Sequence, residues 1–270
     1  MGVPRQTAPA IAGDGSRFLV AWQQYRVGTS SDWDIRAARV GLDATLLDST
    51  SLLVSTAANR ETSPAVDFDG AHYLAVWQDD RSGSSLDLYG VRLDAAGAVA
   101  ESTAIPISGD PGDQAEPAVA HDGSGWFVVW QDRRGGNFDI YGTRVSADGV
   151  VLSPGIPIAT APNDQLAPAV AFDGLRYLVA YQGSPGVGYD IYGVRVETTG
   201  AVVDGTPFVI SSAPDWQETP AIAYDGTNFL AVWRTTGADI HGVRVAPDAS
   251  ILDAPPIAIA GPPAAPTRME

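Results

Sequence analysis

The chain has 270 residues, 45% of them hydrophobic, and a formal net charge of −16. A chain of this length and composition can bury a sizeable core. It contains no cysteine, which excludes a disulfide framework and thiolate metal sites. The excess of negative charge argues against a nucleic-acid partner, and no run of about twenty apolar residues predicts a membrane span.

Five versions of one sequence unit follow one another along the chain. The segment 126–145 reads as a strand, a polar turn and a second strand, and close copies begin at Phe18, Tyr73, Tyr177 and Phe229. A proline before a short apolar run marks the start of each unit. These prolines are Pro9, Pro64, Pro117, Pro168 and Pro220. A period of about fifty residues is typical of β-propellers and solenoids.

Four strands, A to D, are predicted in each unit. Strand A is the Pro-Ala-Val/Ile-Ala segment, and an Asp-Gly pair follows it in every unit. Asp-Gly between two apolar runs predicts a tight hairpin, because the turn needs a positive φ. Strand B is apolar on both faces, since Tyr73, Ala75 and Trp77 alternate with Leu74 and Val76. Both faces of each sheet must therefore be covered.

Strand C is the Asp-Ile-Tyr-Gly-x-Arg-Val segment, and a tight turn leads from it into strand D. Strand D carries a proline at Pro106, Pro157 and Pro256, which predicts that D is the outer edge of each sheet and A the inner strand. Alanines in strand A suit a crowded axis, although Asp67 departs from this pattern in unit 2. Together these features predict an all-β fold, a five-bladed β-propeller with four-stranded antiparallel blades of about 52 residues.

The predicted domain organisation is a single propeller over residues 1–260, followed by a C-terminal tail at 261–270. The blades are expected at about 6–58, 59–111, 112–162, 163–214 and 215–260. Each blade uses consecutive strands, so no closing blade is split between the two ends of the chain. Closure of the ring then depends on blade 1 packing against blade 5.

The longer connections, from B to C and from D to the next A, lie at the same end of the predicted ring, which makes that end the candidate functional face. Three groups of residues are expected to bind ligand there. The first is a ring three residues before each strand A proline: Gln6, Glu61, Gln114, Gln165 and Gln217. The second lies in the B-to-C loops: Arg26, Asp79, Arg81, Asp132 and Arg134. The third is a set of aromatic residues near these loops: Trp33, Phe138, Tyr189 and Trp216.

Each group also has a structural interpretation. The amides of the first group would tie down the D-to-A loops, the Asp and Arg side chains would pair as loop staples, and the aromatic rings would pack between blades. The functional interpretation comes from the combination, because an aromatic face beside amides and carboxylates suits a sugar ring. The Asp and Arg of strand C and the tryptophan series of strand B recur along the chain and are interpreted as scaffold.

Signals for catalysis and for metals are weaker. The three histidines, His72, His121 and His241, occupy unrelated positions in the unit and are not expected to form one cluster. A glycosidase would need carboxylates that converge at the axis. The carboxylates on or near the inner strands are Glu61, Asp67, Glu116 and Glu218. We predict no catalytic residue and no cofactor; calcium is a weak alternative, because Asp67-Phe68-Asp69 is the nearest approach to a calcium loop.

The unit that runs from Val-Trp-Gln-Asp-x-Arg to Asp-Ile-Tyr-Gly-x-Arg-Val resembles repeats of secreted or surface proteins of environmental bacteria. Over residues 6–260 the architecture resembles the five-bladed propellers of tachylectin-type lectins, which bind N-acetylated sugars in pockets between blades. The unit sequence does not match theirs, so no binding residue is carried over. Arabinanase-like five-bladed glycosidases share the architecture but lack such regular internal repeats.

The sequence and these resemblances lead to the expectation of a non-catalytic binding module, lectin-like, that binds carbohydrate through the loop face. The alternative is a protein-interaction scaffold that uses the same face, and a glycosidase-like enzyme ranks last. The expected partner is a glycan or a protein, and the expected state is a monomer. The expected location is extracellular or at the cell surface, although the first residues do not read as a signal peptide.

Overall fold

The computed structural model describes residues 5–28 and 32–261. In these residues the strands form five four-stranded antiparallel sheets, and each sheet pairs four consecutive strands in chain order. Each sheet is one blade of a five-bladed β-propeller, which confirms the predicted fold class. The described residues contain no helix that is long and apolar enough to cross a membrane. Most of the predicted tail, from residue 262 onward, lies outside the described residues.

Blade 1 contains β1 (Gln6–Gly13), β2 (Arg17–Tyr25), β3 (Trp33–Gly41) and β4 (Leu52–Ser55). Blade 2 contains β5 (Glu61–Phe68), β6 (His72–Asp79), β7 (Asp87–Asp94) and β8 (Ile105–Ser108). Blade 3 contains β9 (Gln114–His121), β10 (Gly125–Asp132), β11 (Asp139–Ser146) and β12 (Ile156–Ala159). Blade 4 contains β13 (Gln165–Phe172), β14 (Arg176–Gly183), β15 (Asp190–Glu197) and β16 (Phe208–Ser211). Blade 5 contains β17 (Gln217–Tyr224), β18 (Phe229–Thr235), β19 (Ile240–Val245) and β20 (Ile257–Ala260).

The Asp-Gly hairpins form as the sequence predicts. In blade 2, the carboxylate of Asp69 accepts hydrogen bonds from the backbone N–H of Ala71 at 2.8 Å and of His72 at 2.7 Å. Gly70 has a φ of 103° there, in the left-handed region that favours glycine. The side chain and the glycine therefore close the turn together, and the same arrangement recurs between the first two strands of the other blades.

The order of strands from the axis outward also agrees with the prediction from the sequence. Neighbouring first strands contact one another from β1 through β5, β9 and β13 to β17, so strand A is the inner strand. The short fourth strands pair only with the third strand of their own sheet. Pro106 and Pro157 lie within these edge strands, whereas Pro256 lies just before the first residue of β20. Proline is tolerated at an edge because no further strand needs its N–H.

Four interfaces between blades contain the hydrophobic core. We call the face of a blade that meets the next blade its far face, and the opposite one its near face. Between blades 2 and 3, for example, Leu74 and Val76 on the far face pack against Trp126, Val128 and Trp130 on the near face. Equivalent clusters join blades 1 and 2, blades 3 and 4, and blades 4 and 5. The second-strand tryptophan or tyrosine is thus buried filler in blades 2 to 5, as expected.

An unusual hydrogen bond, which we call the amide clasp, closes the same four interfaces. The third residue of each inner strand has a positive φ at a bulge, for example 50° at Ser63 and 49° at Ala167. Its backbone N–H donates to a glutamine side chain of the preceding blade. Gln23 accepts from Ser63 at 2.8 Å, and Gln131 accepts from Ala167 at 3.0 Å. The remaining clasps are Gln78 with Glu116 and Gln182 with Thr219.

The fifth interface, between blade 5 and blade 1, differs from the other four, and we call it the seam. It is formed by the near face of blade 1 (Phe18, Val20, Trp22 and Val40) and the far face of blade 5 (Leu230, Val232, Ile240 and Ile259). Phe18 is 38% exposed, Leu230 40% and Ile259 51%, and no core cluster of the described residues joins the two blades. The structure therefore does not show the packing of blade 1 on blade 5 that the sequence led us to expect.

Candidate functional site

A cavity of about 460 Å³ lies on the axis, towards the ends of the inner strands where they enter the Asp-Gly turns. All five inner strands line it. Ile11 comes from blade 1, Asp67 from blade 2, His121 from blade 3, Phe172 from blade 4 and Tyr224 from blade 5. This volume is in the range of small-molecule sites, and aromatic walls with a few polar groups are typical of them.

Asp67 and His121 are the polar pair of this cavity. They lie on adjacent inner strands, β5 and β9, and the Asp67 carboxylate accepts hydrogen bonds from the His121 backbone N–H and from its ring Nδ1, both at 2.8 Å. Both residues break the repeat. The other units have alanine at the Asp67 position, and glycine, phenylalanine or tyrosine at the His121 position. The pair is therefore a feature of one place on the axis and not a property of the repeated blade.

The electrostatics of the pair favour a charged imidazole. The hydrogen bond that the His121 ring makes to the Asp67 carboxylate is the main cause that raises the pKa of His121, and partial burial opposes it. The side chains are accessible, at 45% for His121 and 27% for Asp67. Because Nδ1 is bonded to the carboxylate, Nε2 is the ring nitrogen that can exchange a proton with a ligand. The pair has the chemistry of an oriented general acid or base.

The other inner-strand carboxylates do not join Asp67. Glu61 is fully buried at the opposite end of β5. Glu116 lies exposed at the bulge of β9 and accepts a hydrogen bond from the Ser63 hydroxyl at 3.3 Å. Glu218 pairs with Arg234 at 2.7 Å. A converging pair of carboxylates, which sequence reasoning required for a glycosidase, is thus not formed by these four residues.

The predicted ring of Gln6, Glu61, Gln114, Gln165 and Gln217 lies at the loop end of the propeller, and its buried members serve the D-to-A loops. Gln114 donates to the carbonyls of Asp110 and Gly112, both at 3.0 Å. Gln165 accepts from the backbone N–H of Ala161 at 2.9 Å. Gln217 is also buried, whereas Gln6 is exposed and donates to Gln24 at 2.8 Å. A ligand-binding role for this ring remains a prediction.

Glu61 replaces glutamine in this ring and keeps the same structural task. Its carboxyl oxygens accept from the Ser55 hydroxyl and from the backbone N–H of Ala57, the latter at 3.2 Å. Burial is the main cause that raises the pKa of Glu61 to about 7, and the negative charge of Asp79 adds to it. The loop is therefore held by a carboxyl group that titrates near neutral pH.

The Asp-x-Arg loops form the staples that the sequence suggested. In blade 3, the fully buried Asp132 accepts from the Trp130 indole N–H at 2.8 Å and pairs with Arg134 at 2.5 Å. The Arg134 guanidinium lies 4.0 Å over the ring centre of Tyr141. Blade 2 repeats this with Asp79 and with Arg81, which lies 3.7 Å over the ring of Tyr89. In blade 1, Arg26 pairs with Asp34.

The predicted loop aromatics are spread around the ring. Trp33 meets Tyr25 edge to face at 5.6 Å, and Phe138 lies under Arg133 at 5.5 Å. Tyr189 meets the exposed Trp216 edge to face at 5.8 Å. Of these four aromatic residues only Tyr189 and Trp216 adjoin each other, so the four do not form one aromatic face; a ligand-binding role for them remains a prediction. In the described residues, no group of three or more His, Asp or Glu side chains is placed to hold a metal ion.

Comparisons with known proteins agree on the fold. No protein-family model and no curated protein sequence matches the chain. Among solved structures, a thermostable family-43 glycoside hydrolase is 13% identical with a TM-score of 0.57, covering 97% of this chain and 96% of that one. A GH43_1 enzyme from Xanthomonas citri, complexed with xylose, is 13% identical with a TM-score of 0.58, covering 93% and 91%. The GH43 endo-arabinanase of Bacillus licheniformis is 12% identical with a TM-score of 0.54, covering 91% and 96%.

These findings correct three predictions from the sequence. The expected likeness to tachylectin-type lectins is replaced by a likeness to family-43 glycoside hydrolases. The expectation of a non-catalytic binding module, and with it the expectation that the chain is not an enzyme, is wrong because these structural neighbours are hydrolases. At identities this low the likeness shows the fold, and any activity must be argued from the chain's own residues.

Sequence reasoning missed His121 because it compared the histidines only with one another. The sequence did contain a signal that could have identified His121. Asp67 had been recognised as a departure from the alanine pattern, and His121 departs from the aromatic pattern one position later in the next unit. Two symmetry-breaking residues at neighbouring positions of adjacent inner strands indicate a site on the axis, but the contact between them is a property of how the blades pack.

Proposed function

We propose that this chain is a glycan-hydrolysing enzyme whose site is the axial cavity, with Asp67 and His121 as its acid and base groups. The observation that carries the proposal is this pair, which interrupts the repeat at the axis and lines a cavity with the aromatic residues Phe172 and Tyr224. The similarity to family-43 glycoside hydrolases supports a glycan as the substrate class.

The proposed chemistry is hydrolysis of a glycosidic bond by general acid and base catalysis. The His121 imidazolium donates its Nε2 proton to the leaving glycosidic oxygen as the bond to the anomeric carbon breaks. Water supplies a hydroxyl group to that carbon and gives a proton to the Asp67 carboxylate, and exchange with solvent restores both groups. Negative charge on Asp67 also stabilises the positive charge that develops on the sugar ring.

The proposal departs from the usual pair of carboxylates, because a histidine takes the place of the carboxylic acid. This substitution predicts the pH profile. The imidazolium form is required, and the hydrogen bond to the Asp67 carboxylate raises the pKa of His121. The rate should therefore fall as the pH increases through that raised pKa, because the imidazolium is then lost.

The test is an assay of the purified chain against arabinan, xylan and aryl glycosides of arabinose and xylose. We expect His121→Gln to lower kcat/KM by about a hundredfold or more and to abolish the fall at high pH. Asp67→Asn removes the proposed base, so it should lower kcat/KM and also shift the remaining fall to lower pH. His72→Gln is the matched control, since His72 begins β6 at the edge of a turn and does not line the cavity. Unchanged activity and pH profile in His121→Gln would overturn the assignment, as would a wild-type chain inactive on the whole panel.

A surface location, extracellular or on the cell, is retained as part of this proposal, because a polymer too large to enter a cell must be hydrolysed outside it. The proposed reaction uses only the chain's own side chains. A monomeric state remains a prediction that the oligomer mass in solution would check.

A further inference from the structure

Blade 4 lacks the staple that closes the loop end of blades 2 and 3. Where those blades have Asp and Arg, blade 4 has Gly183 and Pro185, and where they have tryptophan it has Tyr181. Among the described residues, arginine lies over the third-strand tyrosine in blade 2 and in blade 3, and none lies over the equivalent Tyr192. A cavity of about 320 Å³ opens at this position, lined by both tyrosines.

The two tyrosines give this cavity a flat aromatic wall. The rings of Tyr181 and Tyr192 stack with their centres 5.7 Å apart and their planes at 20°. Gly183 permits this approach, because a Cβ atom there would lie 2.9 Å from the Tyr192 ring. Any larger residue at this position would separate the rings, so the glycine and the stacked pair belong together.

The hydroxyl of Tyr181 lacks the aspartate partner that the equivalent tryptophans have in blades 2 and 3. In blades 2 and 3 the corresponding indole N–H donates to the staple aspartate. Tyr181 is 2% exposed, and no hydrogen bond of its hydroxyl is found among the described residues. Burial raises the pKa of Tyr181, so the hydroxyl stays neutral. The hydroxyl oxygen keeps some accessible surface at the cavity, where a ligand with an oxygen or hydroxyl group can form a hydrogen bond to it.

The remaining polar groups of the cavity are neutral. Asn163 uses its amide N–H to donate to the Ser184 carbonyl at 3.2 Å, which leaves its side-chain oxygen as an acceptor. The Ser184 hydroxyl accepts from Gly186 at 3.2 Å and can still donate. Neither an acidic nor a basic side chain lines the cavity. The Asp190 carboxylate lies beside the Tyr192 hydroxyl but does not itself line the cavity. The lining therefore suits an uncharged ring with hydroxyl groups better than it suits a cation.

We propose that this blade 4 cavity binds a neutral sugar ring, stacked on the tyrosine wall and hydrogen-bonded to the Tyr181 hydroxyl. The cavity lies at the loop end of the propeller, whereas Asp67 and His121 line the axial cavity near the Asp-Gly turns. It is an accessory site: it would hold part of a long glycan on the protein while another part occupies the axis. Binding here requires no catalytic group.

The experiment measures binding of xylobiose, arabinobiose and cellobiose by saturation-transfer NMR and calorimetry in the His121→Gln protein. This background keeps the accessory site separate from the proposed active site, so either can fail without the other. We expect binding of at least one disaccharide in the millimolar range. Pro185→Arg restores the arginine of blades 2 and 3 over Tyr192 and should weaken that binding by about tenfold or more.

A milder variant guards against misfolding. Tyr181→Phe removes only the hydroxyl and should weaken binding by about fivefold or more, while Tyr141→Phe in blade 3, under Arg134, should leave it unchanged. Free arginine serves as the cationic probe. Three outcomes would overturn the proposal. The first is binding of arginine in preference to every disaccharide, and the second is no binding of any disaccharide. The third is disaccharide binding that is unchanged when Pro185→Arg or Tyr181→Phe is added to the His121→Gln protein.

Discussion

Four interfaces between blades are closed in the same way, and the seam between blade 5 and blade 1 shows what that closure needs. At the closed interfaces the second-strand residues equivalent to Phe18 and Leu230 are at most 2% exposed. At the seam the same kinds of residues are present but remain open to solvent. Hydrophobic character is therefore not the difference between the two regions.

The amide clasp is one difference that the sequence explains. Arg234 stands in blade 5 where the other blades have glutamine, and a guanidinium has no acceptor to offer a backbone N–H. It pairs instead with Glu218 of its own blade. Ala8, with a φ of 52°, therefore lacks a clasp from the preceding blade. Burial and a specific polar contact occur together at four interfaces and are lost together at the fifth.

Truncating the second-strand tryptophan should give the largest difference in stability loss between a closed interface and the seam. Trp130→Ala removes a fully buried ring from a closed interface and should lower the free energy of unfolding by about 3 to 5 kcal/mol. Trp22→Ala, at the half-buried equivalent in the seam, should cost only about 1 to 2 kcal/mol. Chemical denaturation measures both. Equal losses would mean that the seam is closed in solution.

The interface between blades 1 and 2 should be the one whose contribution to stability falls as the pH rises. Glu61 has a folded-state pKa of about 7, above its ordinary value of 4.5, so the folded state holds the proton more tightly and stability falls as the pH rises from about 4.5 to about 7. Glu61→Gln installs the residue of the other four blades. It should raise the free energy of unfolding by about 2 to 3 kcal/mol at pH 8 and have little effect at pH 4.

The matching measurement is a series of denaturation curves from pH 4 to pH 8 for both proteins. The difference between them should grow across this window and then level off. A difference that does not vary with pH would show that the pKa of Glu61 is the same in the folded and the unfolded protein, which would overturn the argument from burial.

The amide clasp itself should make the smallest difference. Gln131→Ala leaves the N–H of Ala167 without its partner at a closed interface and should cost about 1 to 2 kcal/mol. Arg234→Gln places the missing glutamine at the seam, where we expect a change of about 0.5 kcal/mol or less because the partner strand is not packed there. A gain of about 1 kcal/mol or more in Arg234→Gln would show instead that blades 5 and 1 close once the clasp is available.

The loop staples followed from local chemistry, whereas the candidate site did not. The Asp-x-Arg loops are short enough for Asp132 and Arg134 to pair within one loop, and that staple was predicted. The contact between Asp67 and His121 was not, because the residues are 54 positions apart and meet only where two inner strands lie side by side. The strand B tryptophan series, in which blade 4 has Tyr181, was likewise interpreted only as scaffold. What the Tyr181 hydroxyl can bind depends on which side chains the neighbouring loop brings near.

The sequence by itself determined the repeat, the four strands of each blade, the Asp-Gly turns and the number of blades, because these depend on residue order within about fifty positions. Tertiary structure alone decided that the fifth interface stays open, that an aspartate and a histidine share the axial cavity, and that blade 4 carries a tyrosine-walled cavity. These features depend on how whole blades pack against one another, and a small change in that packing moves side chains that no local pattern connects.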